Sequence, residues 1–298
     1  MILFGFPEFE RTGAELLKSS RQLQPGRFRT GRFSNGELFV EAETAVAGED
    51  CAVLGSITPP DSQLVSTLLL AHTLRKEGAR TITGVVPYLA YSRQDKNKCR
   101  QSLAAQWTGA VIQASGFDRI ITVDVHSSED QRLFPIPLIS LYPAAVFADA
   151  LEKNQLTGAT IVAPDQGAIT RGEAIRDAAG LSFEPIPYFE KHRTEAGIQH
   201  VRFVGSVGIQ VVLVDDILDT GATLISACQR LLCAGVEDIE IMVTHGLFTG
   251  DEWKGLWELG VSRIFCTDTV PLPAEARSGR IVTLSIVPLL ASALDRMQ

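Results

Sequence analysis

No CxxC pair occurs anywhere in this sequence, and its five cysteines are an odd number. Cys51, Cys99, Cys228, Cys233 and Cys266 therefore build neither a closed disulfide framework nor a zinc ribbon. Most of them stand in apolar runs (CAVLG, LLCAG, IFCT), which reads as buried free thiols in a reducing, cytoplasmic setting. Long apolar runs are missing too. The opening MILFGFPEFERTGAE soon meets proline and acids, so it reads as neither leader peptide nor membrane span. The apolar run 281–294 is too short for a bilayer and holds Pro288. Nor is there an excess of base. Lys and Arg number 27 against 35 Asp and Glu, a net charge of −8, which argues against unspecific binding to nucleic acid or an anionic membrane. The motifs GxxxxGK[ST], GxGxxG after a strand, HExxH and GxSxG are absent as well.

What is present is an ordinary globular composition, 45% hydrophobic and 21% charged over 298 residues, enough for one large or two ordinary domains. Short aliphatic runs alternate with helix-length amphipathic segments. Strands are expected at 51–56, 81–87, 119–125, 159–164, 211–216, 239–244 and 263–268. Helices are expected at 63–77, 103–115, 144–154, 168–179, 224–234 and 253–259. That alternation predicts an α/β fold of mostly parallel sheets flanked by helices, with ligands gathered at the carboxyl ends of the strands. The halves also resemble each other: LLLAHTLRKEGARTITGVVP and LISACQRLLCAGVEDIEIMV each read as helix, glycine turn, strand. Two similar domains are expected, 1–143 and 144–298, with a last helix near 284–297 able to fold back onto the first. The first copy has Gly55-Ser56 where the second has Asp215-Asp216.

VVLVDDILDTGATL, residues 211–224, raises the central question of why three acids flank a phosphate-type loop. Gly221 permits a compact turn. The N–H groups of 220–223, the hydroxyls of Thr220 and Thr223 and a helix N-terminus can donate to phosphate. Asp215, Asp216 and Asp219 cannot serve a bare phosphate, but they can accept from the hydroxyls of a sugar phosphate or help hold Mg²⁺ there. A helix-capping role accounts for Asp219 alone.

This loop resembles the phosphoribosyl diphosphate (PRPP) motif shared by type I phosphoribosyltransferases and ribose-phosphate pyrophosphokinases. RFSNGE (32–37), PYLAYSRQDK (87–96), VDVHS (123–127), APDQGA (163–168) and EKHR (190–193) resemble the pyrophosphokinase family, in its order and near its spacing. The resemblance implies two phosphoribosyltransferase-like domains and transfer of the β,γ-diphosphoryl group of Mg-ATP to the C1 hydroxyl of ribose 5-phosphate. It implies ATP contacts from Phe33, Asn35, Gly36, Glu37, Arg93 and Gln94, with RFSNGE reaching in from a neighbouring subunit. Asp215, Asp216, Asp219, Thr220, Gly221, Ala222 and Thr223 would take ribose 5-phosphate. His126 and Asp165 would hold Mg²⁺, and Lys191 and Arg193, on a mobile flap in place of an idle surface loop, would act on the transition state. A homo-oligomer follows, with a dimer as the minimal unit and a tetramer or hexamer as larger options.

Several positions depart from the family pattern. Asn35 stands where aspartate is usual, Ala168 where glycine is usual, and NKCRQSLAAQ is short and leaves the part of Arg100 open. Arg171 and His192 carry no assigned role. The sequence ends at LLASALDRMQ without the family's serine-rich extension, so weak or absent activation by inorganic phosphate is expected. Two other readings stand beside the main one. One is a phosphoribosyltransferase that consumes PRPP, and the other is a non-catalytic relative that regulates a true synthetase.

Overall fold

The computed structural model describes residues 1–182, 184–194 and 197–297, with the backbone alone described at 128, 191–194 and 197–201. Met1–Tyr142 together with Val287–Gln298 form one compact unit, and Pro143–Ile286 form the other.

In the first unit the chain runs β1 (Ile2–Gly5), α1 (Glu10–Ser19), β2 (Gln24–Pro25), β3 (Phe28–Arg32), β4 (Leu38–Ala42), β5 (Asp50–Leu54), α2 (Ser62–Lys76), β6 (Thr81–Val86), α3 (Ala104–Ala114), β7 (Arg119–Val123), α4 (Ser128–Leu133) and β8 (Leu138–Leu141). Six of these strands form a sheet in the order β2-β1-β5-β6-β7-β8, parallel throughout, while β3 and β4 pair separately as an antiparallel hairpin. Cys51, Val53, Leu54, Ile82, Val85, Ile120 and Ile121 are fully buried. A parallel sheet covered by helices on both faces requires apolar side chains in both directions, hence the unbroken aliphatic runs.

The second unit continues with α5 (Ala144–Lys153), β9 (Thr160–Val162), α6 (Ile169–Ala178), β10 (Tyr188–Thr194), β11 (Gly197–Val204), β12 (Gln210–Leu218), α7 (Ala222–Cys233), β13 (Asp238–Gly246), α8 (Gly255–Glu258), β14 (Arg263–Thr267) and β15 (Ile281–Leu284). A final helix, α9 (Val287–Asp295), belongs to the first unit, where Ser20 Oγ donates to Asp295. The second sheet has the order β15-β14-β13-β12-β9, again parallel, and β10 and β11 form a separate antiparallel ribbon.

The two units follow the same route. Each sheet has a first strand (followed in the first unit by the short edge strand β2), then an antiparallel hairpin set apart from the sheet, then a strand beside the first, followed by strands stepping outward in one direction. The internal likeness read in the sequence is thus a likeness of topology, and the RFSNGE hairpin occupies in its unit the position that the β10–β11 ribbon occupies in the other.

Three expectations require correction. Residues 190–200 read as a polar loop, yet β10 and β11 pair from Tyr188↔Val204 to Thr194↔Gly197, because β-branched and aromatic residues flank the charged ones on both strands. The strand expected over 119–125 stops at Val123, where Asp124 turns the chain with φ 44°. Cys233 and Cys99 are exposed, whereas Cys51, Cys228 and Cys266 are buried. Helix α7 buries Leu224, Ala227, Cys228 and Leu231, one stripe at spacings of three and four, and Cys233 falls off that stripe.

Candidate active site

Strand β12 is buried from Val211 to Val214, and it continues through the two acids to Leu218. Asp215 pairs with Val243, and Ile217 with His245. The acids therefore belong to the rigid end of a central strand, not to the loop after it. Leu218 O then accepts from the N–H groups of Leu247 and Phe248, and Asp219 O from that of Thr249, which pins the turn to the segment after β13. Gly221 has φ 87°, and a Cβ there would lie 2.9 Å from Trp253 Cα. Only glycine meets both demands, a left-handed backbone and a neighbouring main chain in contact.

Gly221 is the N-cap of α7 and, having no side chain, makes no side-chain cap of its own. Asp219 stands two residues before that N-cap position. The first N–H groups of α7 lack partners within the helix and carry partial positive charge, which suits them to a phosphate. Ala222 is exposed at the mouth of this turn, and Thr220 and Thr223 are half-buried beside it.

Behind the turn stands a group of acids. Asp216 is buried, and its N–H donates to Asp215 Oδ1 at 2.9 Å. Asp165 lies at the tip of β9, where its Oδ1 accepts from Gly167 N–H at 2.9 Å. Burial, followed by the charges of Asp216 and Asp165, pushes Asp215 well above the ordinary carboxylate range. Arg171, in the first turn of α6, answers that charge: it reaches Asp216 Oδ2 at 3.4 Å, with side chains only 13% and 11% exposed. Ala168 sits beside this group at φ −89°, right-handed and buried, so the position has no need of glycine.

In the first unit, RFSNGE is the tip of the β3–β4 hairpin. Phe33 and Glu37 share a backbone hydrogen bond, Gly36 has φ 90° and open space around it, and Arg32 donates to Gly36 O. Asn35 Oδ1 accepts from Glu37 N–H at 3.1 Å, a local role that aspartate performs equally well with an added charge. The string thus forms a plain antiparallel hairpin, and it also has the exposure that recognition requires, since Phe33 is 58% exposed and tilts against Phe39. In the SRQDK turn, Tyr91 has φ 68° and its hydroxyl donates to Asp61, which together with burial pushes the phenol up to about 12. Arg93 and Gln94 are exposed and Asp95 is buried. The VDVHS turn is tied to β8 by Asp124 N–H to Leu141 O and Val125 N–H to Ser140 Oγ, leaving His126 exposed just before α4, which Ser127 caps.

His126 and Asp165 belong to different units. The side chains of Lys191, His192 and Arg193 lie outside the described residues; their backbone belongs to β10. Among the described residues no group of three or more His, Cys, Asp or Glu stands together in a way that can hold a metal ion. Three features escaped the sequence reading. The engagement of Arg171 with Asp216 joins positions 45 residues apart, and periodicity carries no such signal. Trp107 is 53% exposed and edge-on to Tyr91 beside SRQDK, although its helical context reads as core. Asp130 is fully buried on α4, and burial together with Asp95 raises it to about 7.

Comparison with known proteins adds the following. The family model described as the N-terminal domain of ribose phosphate pyrophosphokinase matches residues 7–116, and that of the phosphoribosyl synthetase-associated domain matches residues 180–298. A ribose-phosphate pyrophosphokinase of Bacillus caldolyticus is 31% identical, covering 92% of this chain and 88% of its own. One from Bifidobacterium longum is 35% identical, covering 88% of this chain and 79% of its own. The crystal structure of phosphoribosylpyrophosphate synthetase from Mycobacterium smegmatis superposes with a TM-score of 0.87 at 26% identity, covering 99% of this chain and 98% of that one.

Proposed function

Since the chain belongs to the ribose-phosphate pyrophosphokinase family, we propose that its β12–α7 turn and the acids behind it bind ribose 5-phosphate, while residues of the first unit bind ATP. The enzyme is a diphosphoryl transferase that makes PRPP. The observation that carries the division of labour is the glycine-started N-terminus of α7 just after three aspartates, with no acids at the matching Gly55-Ser56. In the first unit Ser56 Oγ is spent on Tyr88 N–H, and Gly55 makes room for Phe6.

On this reading the 5-phosphate is held by Thr220, Gly221, Ala222 and Thr223, and the ribose hydroxyls donate to Asp215, Asp216 and Asp219. Arg171 holds Asp216 in place. Asp216 and Asp219 thereby orient the sugar so that its C1 hydroxyl can meet the β-phosphorus in line. Phe33, Asn35, Gly36, Glu37, Arg93 and Gln94 take ATP. Lys191 and Arg193, on the β10–β11 ribbon, offset the charge that builds up as AMP departs. The proton of the C1 hydroxyl goes to solvent or to a neighbouring acid, and AMP leaves with the α-phosphate.

The donor set suits Mg²⁺. An acid pushed well above its ordinary range by burial and by two further acids marks a site short of positive charge, and magnesium is commonly held by one or two carboxylates plus substrate phosphates. His126 and Asp165 are the residues proposed on the ATP side. Bound there, the ion would neutralise charge on the diphosphoryl group. The exposed Phe33 at a hairpin tip supports an ATP site completed by a second copy of the chain, hence a homo-oligomer of at least two subunits. No helix among the described residues is long and apolar enough to cross a membrane.

The test is incubation with Mg-ATP and ribose 5-phosphate, with AMP and PRPP read by chromatography. Stoichiometric AMP and PRPP support the reading; ADP formation, or no turnover with bound ligands, would overturn it.

A further inference from the structure

At the far end of α7 from the phosphate turn, the second unit has a cavity of about 250 Å³ lined by Phe189, Arg202, Phe203, Arg230, Leu231 and Cys233. Its walls come from three elements: β10, β11 and the last turn of α7. Phe189 and Leu231 are buried to 2% and 1% exposure, and the rings of Phe189 and Phe203 tilt together at 4.8 Å. This supplies an apolar floor. Arg202 and Arg230 supply the opposite chemistry, and among the described residues neither guanidinium has a hydrogen bond or ion pair. The arginines of α6 and β14, by contrast, are engaged: Arg171 with Asp216, Arg176 with Asp177, and Arg263 with Glu240.

Two unpaired guanidinium groups beside an aromatic floor call for a ligand with both a charge and an apolar body. The charge must be negative and close to two units to match two cations. A phosphate monoester has that charge at neutral pH, with three oxygens for forked donors. The C-terminal end of α7 carries only about half a negative charge, which two full positive charges outweigh. The net charge of −8 for the whole chain gives no general attraction for anions, so any binding has to be local.

We propose that this cavity binds a small phosphate monoester with an aromatic or otherwise flat apolar body, separate from the ribose 5-phosphate turn. Its ligand joins β11 to α7 and so anchors the root of the ribbon that carries Lys191 and Arg193. The cavity stands on its own residues, whichever substrates the enzyme takes.

Cys233 provides the readout, because it lines the cavity and is exposed, while Cys51, Cys228 and Cys266 are buried. In the full chain carrying Cys99→Ser, the rate of Cys233 modification by a thiol reagent is followed against phenyl phosphate. Saturable protection is expected, with inorganic phosphate requiring at least tenfold higher concentration. Arg202→Gln with Arg230→Gln should raise the half-protecting concentration at least tenfold, and both sites are exposed, so the fold tolerates them. Absence of protection, equal protection by inorganic phosphate, or protection unchanged in the double variant would each overturn the proposal. AMP formation is measured in parallel, so that failure of this site is distinguished from failure of the activity.

Discussion

Arg171 spans two segments of the second unit: its Nη1 donates to Gly167 O at 3.3 Å and its Nη2 to Asp216 Oδ2 at 3.4 Å. It thereby links the loop after β9, where Asp165 stands, to the acid end of β12. Arg171→Ala is expected to raise KM for ribose 5-phosphate about tenfold or more, the equivalent of one charge-assisted hydrogen bond of ~1.5–3 kcal/mol. KM for ATP should change far less, and Arg171→Lys should recover part of the loss. Equal changes in both KM values would place Arg171 outside the sugar side.

Gly221 faces Trp253 with a positive φ. Gly221→Ala is expected to destabilise the protein by about 1–3 kcal/mol through backbone strain and to weaken ribose 5-phosphate binding. Thermal unfolding with and without ribose 5-phosphate checks both effects. An unchanged Tm would mean that the turn has room to relax.

Lys191→Ala is expected to lower kcat by about 10²-fold with little change in either KM, because its charge is matched to the transition state. Steady-state kinetics decides, and a fall of less than about tenfold removes Lys191 from that role.

Burial raises Asp130 to about 7 in the folded protein, with the charge of Asp95 adding to the effect. The unfolded chain holds that proton only up to about pH 4. Folding thus takes up a proton between these values, and the stability this group confers is complete in acid and lost as pH rises through about 7. Asp130→Asn should therefore be the more stable protein at pH 8 and no more stable at pH 4. Denaturant titrations at the two pH values test this, and its sign fails if the variant is less stable at pH 8.

Arg263 donates to Glu240 Oε1 and to Asn154 Oδ1, both at 2.6 Å, while Glu240 is 2% exposed. Arg263→Ala leaves a buried carboxyl without its cation and is expected to cost about 3 kcal/mol. The effect should appear in unfolding and not in KM for either substrate. This separates a structural arginine from Arg171.

The parallel α/β architecture was legible because aliphatic runs and amphipathic helices differ in period, as at 211–214 against Leu224, Cys228 and Leu231. The sugar-phosphate turn was legible because its atoms are contiguous: DDILDTGAT holds acids, glycine and hydroxyls within ten residues of strand and helix. Residues 190–200 read as a loop, yet 190–194 and 197–200 lie within the β10–β11 ribbon. Its pairing depends on a partner strand, which the charged string EKHR does not announce. Cys233 was misread because an apolar neighbourhood in sequence does not say which side of the helix faces the core.

Local chemistry, then, was determined by the sequence alone: a glycine where φ is positive against a neighbouring main chain, apolar residues where strands are covered on both faces, acids where a sugar can be bound. Tertiary structure decided which distant groups answer one another. Arg171 meets Asp216, Asp95 raises Asp130, and two arginines on β11 and α7 line one cavity. Charges act through space, and the distances that set their strength exist only once the chain has folded.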